Sequence, residues 1–163
     1  MLRNQLLQRP NSATIKQLSK SADTLDLYRL TFDPDPLVAW HAAWVLTHKS
    51  DAQIALLPQQ ELINQTLSTN NVSLRRLLLS LIERQKIDIN DLRTDFLDFC
   101  LNGITSLEQP AGVQALCMKL SHRMCSFYPE LLHEFIEVLK MMHPEHYSAG
   151  VRHVRNKYLK QLT

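Results

Sequence analysis

Histidines and carboxylates are the residues of this chain whose types and spacing invite a chemical role, and none of their patterns closes into a site. The tightest cluster is His143-Pro144-Glu145-His146, followed by His153. Metal binding needs imidazoles that converge, usually four residues apart on a formed helix with a third ligand nearby. Pro144 suits a helix start and so puts His143 before it, where His143 and His146 should diverge. His122 and His133, beside Arg123 and Glu134, read as surface positions. Asp91, Asp95 and Asp98 have helical spacing, as do Glu130, Glu134 and Glu137. Paired carboxylates work as acid and base only where a dry pocket parts their pKa values, and a solvated helix face offers none. There is no Gly-rich phosphate loop, nucleophile elbow or H-E-x-x-H. With Gly103, Gly112 and Gly150 as the only glycines, a phosphate-cradling turn is hardly available. Neither an enzyme nor a bound cofactor or metal is expected.

The elements that position these residues must be helical. A chain of 163 residues with 45% hydrophobic and 21% charged residues has an ordinary globular balance. Only 3 Gly and 7 Pro fit helices joined by Pro-marked turns better than a turn-dense β chain. No run approaches the length of a membrane span, and MLRNQLLQRP has no sustained apolar core of a secretory signal. Cys100, Cys117 and Cys125 form no C-x-x-C. Their odd number points to reduced, buried thiols in a cytoplasmic setting.

The stretch Asp33–His48, DPDPLVAWHAAWVLTH, organises the rest. An Asp/Pro turn leads into a helix that is apolar almost all round and so must be covered on more than one side. The same turn-plus-helix recurs. Residues 1–22 form N-terminal capping helices, with Ser12 as the cap of the second. Four pairs follow, at about 23–50, 58–86, 90–126 and 129–162. The first helix of the first pair should turn Leu25, Leu27, Tyr28 and Leu30 inward; Asn102-Gly103 reads as a left-handed stop ending the first helix of the third. Ala43, Leu78, Cys117 and Val151 fall on equivalent buried positions, with Pro36, Asn71, Pro110 and Pro144 at the turns. Spacings of roughly 34 to 39 residues are those of two-helix solenoid units.

The pattern D-P-x-P-x-V-x-x-x-A-A-x-x-L in Asp33–Leu46, the Val151-Arg152 pair, and Glu108-Gln-Pro-Ala-Gly-Val before Ala115-Leu116 resemble HEAT repeats. Ala39 stands where that family usually has Arg, and Asn70-Asn71 where it has Asp-Pro. The resemblance implies an all-α, right-handed α-α superhelix of about four helix pairs, one domain over residues 1–163, acting by holding partners.

Charge is segregated between the two rows. First helices carry acids, Asp23, Asp26, Glu61, Asp88, Asp91, Asp95, Asp98, Glu130, Glu134 and Glu137. Second helices carry bases, Lys49, Arg75, Arg76, Arg84, Lys86, Lys119, Arg123, Arg152, Arg155, Lys157 and Lys160, against Glu83. Each row could simply solvate its own face. A basic face would otherwise attract anions. Arg75, Arg76, Arg123, Arg152 and Arg155 are the candidate grips on an acidic peptide or protein partner, since guanidinium groups hold carboxylates in a two-pronged way. The alternatives are nucleic acid in the groove, weakened by the scarcity of aromatic stacking platforms among the bases, and a small helical enzyme of unknown reaction. Trp40 and Trp44, four residues apart, either pack in the core or serve as aromatic anchors for a partner.

Overall fold

Most helices of this chain begin where a side chain can accept from one of the backbone N–H groups left without an intrahelical partner. Asn11 accepts from the Thr14 N–H at 2.8 Å, Asp23 from Asp26 at 3.1 Å, Asp35 from Leu37 at 2.9 Å, Asn71 from Leu74 at 3.1 Å and Ser148 from Val151 at 3.2 Å. Ser50 and Gln53 cap reciprocally, each side chain accepting from the other's backbone N–H. Asn11, not Ser12, is thus the cap of the second helix; Ser12 is its first residue.

The computed structural model describes all 163 residues and contains helices and 3-10 turns but no strand. The chain divides into two compact units, Met1–Lys86 and Ile87–Thr163. The first holds α1 (Leu2–Leu7), α2 (Ser12–Ser21), α3 (Thr24–Leu30), α4 (Pro36–Leu46), α5 (Asp51–Ala55), α6 (Gln59–Ser68) and α7 (Val72–Glu83). The second holds a 3-10 turn at Ile89–Asp91, α8 (Thr94–Thr105), α9 (Ala111–Cys125), α10 (Pro129–Met141), another 3-10 turn at Pro144–His146, and α11 (Ala149–Leu162).

Within the first unit α3 packs on α4, α6 on α7 and α4 on α7, while α1 and α2 also lie against α4. Four neighbours account for the all-round apolar character of α4, which buries Val38, Ala39, His41, Ala42, Ala43, Val45 and Leu46. Burying a Val or Leu completely is worth about 1.5–3 kcal/mol. His41 is admitted to this core because its Nδ1–H donates to the Leu6 carbonyl at 2.5 Å. The second pair also reaches back to the first through side-chain amides. Gln65 donates to the Thr31 carbonyl at 2.8 Å and Asn71 to that of Pro36 at 3.1 Å. Gln85 donates to Ile54 and Leu57, at 2.9 and 3.1 Å.

Within the second unit α8 packs on α9, α10 on α11, α9 on α10 and α11, and α8 on α10. The aligned positions Ala43, Leu78, Cys117 and Val151 are at most 1% exposed.

Two further local expectations fail for physical reasons, and one turn is new. Gly103 lies inside α8 with no positive φ, so it stops nothing. It is needed because a Cβ there would sit 2.6 Å from Cys117 Sγ and 3.3 Å from Cys117 Cβ on α9. Leu25 is 51% exposed, since α3 is short and offers α4 a face that Leu27 and Tyr28 already fill. The helix starting at Pro36 ends at Leu46, and Ser50 starts α5, a turn the apolar pattern does not signal.

Candidate functional site

Four arginines of the second-helix row, Arg75, Arg84, Arg152 and Arg155, are held by backbone carbonyls, most of them at helix ends. The last carbonyls of a helix lack intrahelical donors and carry partial negative charge, so cations settle there. Arg75 on α7 donates through Nε to the Thr66 carbonyl at 3.3 Å and through Nη2 to that of Thr69, both at the end of α6. Arg155 on α11 donates to Leu139 near the end of α10 at 2.8 Å, and to Asn156 Oδ1 at 3.0 Å. Arg152 donates to the Tyr147 carbonyl at 2.8 Å. Gln114 occupies on α9 the place of Arg75 on α7 and does the same work, donating to the Ser106 carbonyl just past α8 at 2.8 Å. Arg84 grips the carbonyls of Thr47 and Lys49 at 2.6 and 2.8 Å and pairs with Asp51. These acceptors lie on other segments, so the sequence gives no sign of them.

The candidate arginines fall in both units: Arg75 and Arg76 in the first, Arg123, Arg152 and Arg155 in the second. Arg76 is exposed, whereas the other four are half-buried. Arg152 uses one arm on its carbonyl, and a guanidinium has five N–H donors, so its outer edge stays available. Neither α9 nor α11 contains an acid. Their bases Lys119, Lys157 and Lys160 are exposed. His122 lies among them, half-buried rather than on the open surface, its ring 4.5 Å from that of Tyr158 and 5.7 Å from Phe135. Burial holds its pKa below the ordinary 6.5, and the charges of Arg123 and Lys157 push it further down.

Trp40 and Trp44 are both half-buried on α4, with near-parallel rings 6.3 Å apart. Leu37, on the same side of the helix, is 48% exposed. An open cleft of roughly 700 Å³ runs between the α3–α4 and α6–α7 turns, rimmed by the exposed Phe32 and Val72.

The histidine and carboxylate patterns stay spread over the surface. His143 and His146 have ring centroids 5.6 Å apart at 52°, and no three His, Cys, Asp or Glu converge on one point. Asp91, Asp95, Asp98, Glu130, Glu134 and Glu137 are all exposed. Asp95 pairs with Arg93 at 2.8 Å, which holds its carboxyl below the usual range. The three cysteines are free and buried. Burial raises Cys100 well above the ordinary thiol value, with the neighbouring Cys117 adding to it. Burial and then the charge of Glu134 push Cys125 up to about 12. Thiolates, the reactive form, are thus suppressed at both. No helix is long and apolar enough to cross a membrane.

Among known proteins, no curated sequence and no solved structure matches the chain significantly. The pattern of the HEAT repeat domain, in contrast, matches residues 2–162. That span takes in every helix pair described above, and the chain belongs to the HEAT repeat domain family.

Proposed function

We propose that the chain is a non-catalytic interaction module whose α9–α11 face receives an acidic segment of a protein partner. HEAT repeats are commonly protein-interaction scaffolds. The observation that carries the reading here is compositional and positional at once. Two packed second-row helices carry Lys119, Arg123, Arg152, Arg155, Lys157 and Lys160 and no acid of their own. A field of one sign raises the local concentration of the opposite one and speeds encounter. Arg76 on α7, and Trp40 and Trp44 on α4, are the corresponding charged and aromatic contacts of the first unit.

The test is fluorescence anisotropy with a labelled Glu-rich peptide and an equally long single-stranded oligonucleotide. The variant carries Lys119→Glu, Lys157→Glu and Lys160→Glu, which spares the arginines that hold helix ends. Wild type should bind the peptide more weakly as salt rises, the variant should lose binding while its melting temperature stays put, and binding should raise the His122 pKa. Equal peptide binding by both proteins would remove the α9–α11 face from consideration. Preference for the oligonucleotide with a steep salt slope would turn the reading to nucleic acid.

A further inference from the structure

A second basic site lies in the first unit. A pocket of roughly 420 Å³ between α2 and the α4–α5 turn is lined by Lys16, Ser19, Lys20, His48, Lys49 and Gln53, and no carboxylate lines it. Lys16 and Lys20 are one helical turn apart on α2, so both ammonium groups share its face, an arrangement that repels in an isolated helix. Lys49 enters from the other wall. It is only 5% exposed, and its Nζ is fixed by the Ala22 carbonyl at 2.5 Å, at the end of α2. An ammonium has three donors, of which that bond uses one. Elsewhere in this unit Arg3, Arg29 and Arg84 each pair with an aspartate. Lys16, Lys20 and Lys49 pair with none. The Gln53 carbonyl is taken by Ser50, which leaves its amide N–H groups as donors.

We propose that this pocket binds a phosphate monoester. Three compact, strongly hydrated point charges without a guanidinium suit a tetrahedral, multiply charged anion better than a planar, singly charged carboxylate. A dianion also offsets the mutual repulsion of the lysines more fully than screening by water alone. The site is separate from the α9–α11 face and does not depend on how that face is used. Two sources share the chemistry: a phosphorylated side chain of a peptide, and a small soluble phosphate ester.

The probes are inorganic phosphate, a phosphoserine peptide with its unphosphorylated twin, and inositol hexakisphosphate, followed by calorimetry and by thermal melting of the full chain. Wild type should bind phosphate-bearing probes and melt higher in their presence. The Lys16→Gln, Lys20→Gln variant, altered only at exposed positions, should by itself melt at or slightly above wild type, its lysine repulsion removed, and bind about tenfold or more weakly. The Lys119→Gln, Lys157→Gln variant on the other unit should bind as wild type does. Tightest binding of the phosphopeptide assigns the peptide source, and of the inositol ester the soluble source. No binding by wild type, equal binding by the Lys16/Lys20 variant, or equal weakening by the Lys119/Lys157 variant would each overturn the proposal.

Discussion

His122 is a residue whose protonation the surrounding helices oppose. Its ring is packed against Phe135 and Tyr158, and a positive charge there would meet those of Arg123 and Lys157. The folded pKa therefore lies below 6.5, and between the two values the unfolded chain binds more protons. Stability is full above pH about 6.5, falls as the pH drops through that window, and stops falling below the folded value. Replacing His122 by Gln should flatten this segment of the stability profile, read as urea midpoints from about pH 7 down to pH 5. An unchanged slope in the variant would assign the loss to other groups. Asp33 and Asp95 are not those groups. Arg3 and Arg93, the first and largest causes, lower both carboxyls, so their contributions are lost only at more acid pH.

At the scale of elements, the α8–α9 contact depends on the missing side chain at Gly103. Gly103→Ala gains roughly 1 kcal/mol of helix propensity but forces a Cβ against buried Cys117, at a cost of about 1–3 kcal/mol for overpacking. Combined with Cys117→Ala, which removes the sulfur, the cost should be less than the sum of the single changes by at least about 0.5 kcal/mol, measured by denaturant unfolding of the four proteins. Strict additivity would mean the two helices move apart freely. The helix pairs themselves were legible because the Asp/Pro and Asn turns and the apolar periodicity agree, and the buried register of Ala43, Leu78, Cys117 and Val151 follows from both. Gly103 was not, since Asn-Gly after an apolar run reads as a stop until the partner across the interface is known. Nor were the jobs of Arg75, Arg84, Arg152 and Arg155, because a side chain's charge is written in the sequence and its carbonyl acceptor is not. Gln65, Gln85 and Gln114 are buried because each has such an acceptor, which composition does not reveal.

At the scale of the molecule, burial is distributed unevenly along the second unit. The helix α9 buries residues along its full length, from Val113 to Cys125, whereas α11 buries only Val151 and Tyr158. Elements with few buried side chains open at lower free energy than elements with many. Amide hydrogen exchange should therefore be at least about tenfold faster in α11 than in α9. Equal protection would mean that the second unit opens as one body.

The amide bonds that run from the second helix pair to the first have a mechanical meaning. Each clasps a main-chain carbonyl at 2.8–3.1 Å. Such bonds fail steeply once donor and acceptor part by about half an ångström, while apolar contacts yield gradually. Under tension the seam between these repeats is brittle: it resists bending up to a threshold and then gives way at once, instead of stretching like a spring.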